Sequence, residues 1–240
     1  MRLNALTERL GVLVLAGPRS RDVLGKLTRT SLENADFSWL SGKQINVGPA
    51  TAHALRVNFV GELGWELHHP MEQQNTIFDL LMEAGAEFGI KPFGIRAMTA
   101  MAIEKSYRLI PRELSIEYNA FESGLDRFVK PNKGEFIGRD AVVKAREDGL
   151  NWNFVTMEVH DVTDADARGS EAIYQNGELV GRATHGGFGW RLGKSLALAM
   201  VRPQLNTEGA EFQIKILGQL YRATIIEESP FDTENVALRA

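Results

Sequence analysis

Six short runs of alternating or continuous apolar residues close the chain, at 154–159, 171–175, 179–184, 195–201, 212–217 and 219–226, with little helical spacing between them. A strand this short cannot bury a face alone, so a succession of them folds on itself as a small barrel or a sandwich. Asn176-Gly177 stands between the second and third runs. Both residues tolerate positive φ, which is what a tight two-residue hairpin needs. The stretch before the first run, "AREDGLNWN", is polar and breaks the pattern. It divides the chain into a first domain over 1–150 and a β-domain over 151–240.

The first domain has mixed periodicity. An apolar run at 12–15 ends at Gly17-Pro18 and predicts a buried strand. Val23, Leu24 and Leu27 fall at helical spacing and predict a helix over 20–30. Segments 54–60 and 65–68 read as strands, with Gly61 and Gly64 free to take positive φ in the turn that joins them. Ile77, Leu80, Leu81 and Ala84 share one face of a helix over 71–88, which stops near Gly89. A second helical stretch, rich in Ala and Met, covers 94–107. Strands and helices in this order make an α+β layer.

Composition removes several functions. The net charge is -4 and the pI about 5.8, so no basic field draws in nucleic acid. The chain has no cysteine, which excludes disulfides, thiolate catalysis and cysteine-held metals and fits a cytoplasmic or organelle-matrix setting. The apolar runs "GVLVLAG" and "SLALAMV" are too short to span a bilayer, and "MRLNALTERLG" lacks the basic-then-apolar layout of a signal peptide.

The densest cluster of functional residue types is "GELGWELHHP", residues 61–70. Trp65 and Glu66 are neighbours on a strand and face opposite ways. A carboxylate beside aromatic residues accepts two N–H bonds from a flat heterocycle such as a pterin; the alternative for Glu66 is a solvated strand residue. His68 and His69 also face opposite ways and cannot share one ion, and His53, His160 and His185 lie at no ligand spacing, so no metal is expected. "RATHGGFGWRLGKS" lacks the order of a phosphate loop, and its glycines suit a bulged barrel turn. "EKSYRLIPREL", residues 104–114, is either a solvated helix end with an ion pair such as Glu104 with Arg108, or the lining of a cleft for an anionic ligand tail. No nucleophile, base and orienter assemble from the pattern, so catalytic residues are left unassigned.

Five motifs in order resemble the folate-binding aminomethyltransferase family, whose parent is the T-protein of glycine cleavage. They are "FVGELGWEL", "GIKPFGIRAM", "FESGLDRFVKPNKGEFIGRDAV", "GRATHGGFG" and "SLALAMVRP". The segment 104–114 is most similar to the C-terminal folate domains of dimethylglycine and sarcosine dehydrogenases. The resemblance implies an α+β aminomethyltransferase folate-binding fold with ferredoxin-like layers, incomplete at its N-terminus, followed by a small C-terminal β-barrel. The family's "GG-x-x-D-D" type segment, which supplies an aspartate, has no counterpart here.

The resemblance also implies a cofactor, tetrahydrofolate, and a reaction, transfer of a one-carbon unit from an N-methyl amine of glycine, sarcosine or dimethylglycine type. FAD is expected only on a flavoprotein partner domain or subunit, and an exposed sheet edge makes a homo-oligomer a further expectation. In this family the last glutamate of the hairpin motif grips the pterin, which assigns that role to Glu66. Phe59 takes the place of the hairpin tyrosine, and Trp65 and Tyr107 complete an aromatic wall. The family's arginine and aspartate on the next helix become Met98 and Thr99, and a second arginine becomes Ala102. Arg96 and Arg108 are then the candidates for the folate carboxylate tail. These losses leave a second expectation, a non-catalytic folate-binding or structural module of the same family.

Overall fold

A computed structural model describes residues 3–162 and 165–240. The chain forms two compact units, one made of residues up to Met98 together with Glu234–Ala240, the other of Thr99–Thr233.

The first unit is built on an antiparallel four-stranded sheet, β1 (Leu10–Ala16), β2 (Gly42–Val47), β3 (Ala50–Leu55) and β4 (Gly64–Pro70), in the order β1-β4-β3-β2. The short helix α1 (Ser20–Gly25) and the longer α2 (Gln74–Gly85) pack on one face. Their Val23, Leu24, Ile77 and Leu81 meet Leu15, Ile45, Ala52, Trp65 and Leu67 from the sheet in a single core. The helix expected over 20–30 stops at Gly25, and Leu27 reaches the core from the following turn. Helix α2 ends at Gly85, and a 3₁₀ turn over Ala86–Phe88 carries the helical segment on to Gly89, the expected stop, which takes a left-handed conformation (φ 72°).

The strand expected over 54–60 lies earlier, at Ala50–Leu55, and pairs with β2, which the apolar pattern does not reveal. Both strands signal weakly. The buried face of β3 is made of Ala50, Ala52 and Ala54, and alanine is depleted in strands. β2 presents only Ile45 and Val47 to the core. They are joined at Gly48-Pro49, where Gly48 has φ 58°. After β3 the chain turns at Arg56, a buried arginine that donates to Asn34 Oδ1 at 2.6 Å, to the Phe37 carbonyl at 2.7 Å and to the Ala240 carbonyl at 2.8 Å.

The helix expected over 94–107 is α3 (Ile95–Glu104), and α4 (Arg139–Glu147) lies in the segment that follows it. In the second unit six strands close into a barrel: β5 (Asn153–Val159), β6 (Ala172–Gln175), β7 (Glu178–Gly189), β8 (Lys194–Val201), β9 (Glu211–Ile216) and β10 (Gln219–Ile226), in the order β10-β5-β8-β7-β6-β9. This decides between barrel and sandwich. β8 is apolar from Leu196 to Val201 because both its faces are covered there. Ala197, Ala199 and Val201 fill the barrel, while Leu196, Leu198 and Met200 pack outside it against Ile103 and Phe154. β7 runs on through "THGGFG", with a bulge between Ala183 and His185. A side chain at Gly186 would place its Cβ 2.5 Å from the Ala167 carbonyl, so this glycine permits close approach.

The contact boundary at Met98 falls well before the polar break near 150. The intervening segment is clamped to the barrel by buried carboxylates. Glu122 accepts the backbone N–H of Asn119 at 3.0 Å and of Asn151 at 3.1 Å, and its carbonyl accepts Phe154 N–H at 3.0 Å. Glu113 accepts Leu109 N–H at 2.9 Å and the Thr184 hydroxyl at the β7 bulge. No helix among the described residues is long and apolar enough to cross a membrane. The short C-terminal helix α5 (Val236–Arg239) belongs to the first unit.

Candidate functional site

The hairpin motif is held by a side chain that motif reading passes over. Asn58 Oδ1 accepts Val60 N–H at 3.0 Å and Gly61 N–H at 3.1 Å, and its amide donates to the Glu62 carbonyl at 2.6 Å. Of the two glycines only Gly61 takes positive φ (73°). Gly64 serves a different need: a Cβ there would lie 2.5 Å from the Leu15 carbonyl, so the bare backbone lets β4 close on β1. The chain thus enters β4 in a fixed register, with Glu66 opposite Val14 on β1 and Leu55 on β3.

Glu66 leaves the sheet on the face opposite α1 and α2. Its Oε2 lies 3.1 Å from His68 Nε2, and Oε1 has no hydrogen-bond partner among the described residues. The result is a half-buried carboxylate with acceptor sites to spare. Phe59, in the Asn58-organised turn, is half-buried. Arg96 is exposed on the first turn of α3, and its guanidinium has no partner among the described residues.

Trp65 does not share the site. It is completely buried on the helix side of the sheet, edge-on to Phe37 with ring centroids 6.1 Å apart. Strand alternation places it back to back with Glu66, so it serves the core rather than an aromatic wall beside the carboxylate. The same alternation separates the two histidines. His69 is buried, with Nδ1 2.9 Å from the Leu67 carbonyl and Nε2 2.8 Å from the Gln74 side-chain amide.

Tyr107 and Arg108 belong to the second unit. Tyr107 is half-buried, and burial, opposed by Arg191, raises its phenol pKa. Arg108 is already committed. It donates to the carbonyls of Ser123 and Ser106, pairs with both oxygens of Glu228 at 2.5 and 3.1 Å, and lies 3.8 Å over the Phe154 ring. It is not available for a folate tail. Nor does it pair with Glu104, because α3 ends there. Glu104 instead receives Arg191, through both the guanidinium and the backbone N–H.

A cavity of about 530 Å³ lies between β1 and the segment after α2, lined by Leu13, Leu15, Phe78, Leu81, Phe88 and Phe93 among others. It is apolar and offers no acceptor pair like that of Glu66. β1 is an edge strand of the sheet, and its Leu10, Val12 and Val14 are exposed.

Residues 1–133 match the family described as the GCVT N-terminal domain, and residues 153–232 the glycine cleavage T-protein C-terminal barrel domain. The chain belongs to the glycine cleavage T-protein family. Over 235 residues it is 39% identical to human dimethylglycine dehydrogenase, mitochondrial, covering 98% of this chain and 27% of that protein. Mouse sarcosine dehydrogenase, mitochondrial, is 32% identical over 95% of this chain and 26% of its own length. The aminomethyltransferase of Thermoanaerobacter pseudethanolicus is 28% identical over 95% of this chain and 61% of that protein. The fold is that of the aminomethyltransferase T crystal structure from Bartonella henselae, with a TM-score of 0.81 at 19% identity, over 93% of this chain and 60% of that one. The chain therefore spans about a quarter of the length of the dehydrogenases it matches.

Within this T-protein frame, the structure adds three residues that the sequence reading did not assign. Asn58 has a local signal, since an asparagine two or three residues before a turn N–H favours this cap. His68 has one too, two positions from Glu66 on a strand. Arg191 has none, because it stands 87 residues from Glu104.

Proposed function

We infer that the chain is a tetrahydrofolate-binding module in which Glu66 anchors the pterin, acting in one-carbon transfer from an N-methyl amine together with a flavoprotein domain or subunit. The observation that carries this reading is the Glu66 carboxylate, fixed at one oxygen by His68 and open at the other, at the family's hairpin position. A pterin presents two adjacent N–H donors, and a carboxylate with three acceptor sites left receives both. Phe59 stacks where the family has a tyrosine, and Arg96 supplies a cation for the carboxylate tail. Bound tetrahydrofolate would supply the amine nitrogens that take up a carbon at the oxidation level of formaldehyde. The chain's own residues bind and orient; none is assigned to bond making.

The dehydrogenase relatives support a flavoprotein partner and an amine of dimethylglycine or sarcosine type. A second reading, a folate-binding or structural module without turnover, is favoured by Phe59, which lacks a hydroxyl, and by Arg108, which is bound to Glu228. Calorimetric titration with 5-formyltetrahydrofolate tests the common core of both. Micromolar binding is expected in the wild type. Loss of one charge-assisted bond in Glu66→Gln removes roughly 1.5–3 kcal/mol, or about 10- to 150-fold in affinity. Unchanged affinity in that variant would refute the assignment. Formation of a methylene adduct with an amine-oxidising flavoprotein then separates the enzyme from the passive module.

A further inference from the structure

His68 stands two residues beyond Glu66 on β4, so both side chains leave the same face of the sheet. Nε2 of His68 is 3.1 Å from Oε2 of Glu66, and the side chains are 31% and 29% exposed. A carboxylate oxygen only accepts, so this nitrogen carries the proton and donates. Across the sheet His68 faces His53 on β3 and Val12 on β1, and Gln44 on β2 lies beyond His53.

The geometry points to His68 as a positioning residue for Glu66 in the folate site, an inference that rests on the reading above. A free glutamate samples many rotamers, and only a few aim both oxygens at one flat ligand edge. The His68 N–H restricts that sampling before ligand arrives, as preorganisation requires. It occupies one of the four acceptor sites of the carboxylate and leaves three for the pterin donors.

The experiment is calorimetric titration with 5-formyltetrahydrofolate on the wild type, His68→Gln, His68→Leu and Glu66→Gln. Glutamine keeps an N–H of similar reach. His68→Gln is expected to bind within about twofold of the wild type. His68→Leu is expected to bind about fivefold more weakly. Wild-type affinity in His68→Leu, or a loss of about fivefold in His68→Gln, overturns the inference. Glu66→Gln separates the two levels: if it binds as the wild type does, the folate reading itself fails, whatever His68 does. A reading without ligand comes from the ¹⁵N shifts of the His68 ring. They should report the Nε2–H tautomer in the wild type and a mixture in Glu66→Gln. A ring without the Nε2 proton in the wild type also overturns the inference.

Discussion

Replacing Arg191 by Met isolates a buried ion pair of the second unit. Glu104 is 1% exposed, and Arg191 approaches it with Nε while donating Nη2 to the Met101 carbonyl at 3.0 Å and stacking 3.6 Å over Phe231. Methionine preserves much of the packing volume. The Glu104 carboxylate then keeps the residue-191 backbone N–H, at 2.7 Å in the wild type, but loses its counter-charge. A buried charge stripped of its partner costs about 3–5 kcal/mol. With a urea dependence of about 2 kcal/mol per molar for a unit of this size, the midpoint should fall by about 1.5–2.5 M. Hydrogen exchange of the β8 amides along the urea series assigns the loss to the second unit. The double variant Glu104→Leu/Arg191→Met removes both charges together and should recover most of the loss, with a coupling energy of at least about 2 kcal/mol. A loss below about 1 kcal/mol in Arg191→Met, or strict additivity in the cycle, would refute the reasoning.

Gly64→Ala should destabilise the first unit by about 1–3 kcal/mol, because the new Cβ meets backbone rather than a movable side chain, and thermal unfolding would show it. Asn58→Ala removes the acceptor of two turn N–H groups. A loss of about 1–2 kcal/mol in urea unfolding is expected, with weaker 5-formyltetrahydrofolate binding as Glu66 loses its fixed approach. His185 is buried with Nδ1 unpartnered among the described residues, and burial followed by the Arg112 charge lowers its pKa from 6.5 to about 4. The fold thus prefers the neutral ring. That stability is present above pH 6.5 and is lost as pH falls towards about 4. Linkage gives a loss of about 2 kcal/mol between about pH 7 and about pH 5, and urea midpoints in His185→Gln should move correspondingly less.

The sequence by itself determined the elements whose cause is local. The barrel strands carry their own apolar runs. Helix α2 carries a stripe of apolar residues and a glycine at its end, and the order of five motifs marks the family. Glu66 and its strand were readable because a hairpin is a short-range object and alternation fixes which way each side chain leaves it. The tertiary structure decided what depends on contacts distant in sequence. β2 and β3 form because alanines facing a shared core need a partner strand more than they need intrinsic propensity. Trp65 joins that core and Arg108 is taken by Glu228. Glu104 finds Arg191 rather than the arginine one turn away, since a buried carboxylate must meet whichever cation the barrel brings to it. Closure into a barrel is of the same kind. Alternation shows that each strand has a face to bury, and only the pairing of β10 with both β5 and β9 leaves no edge.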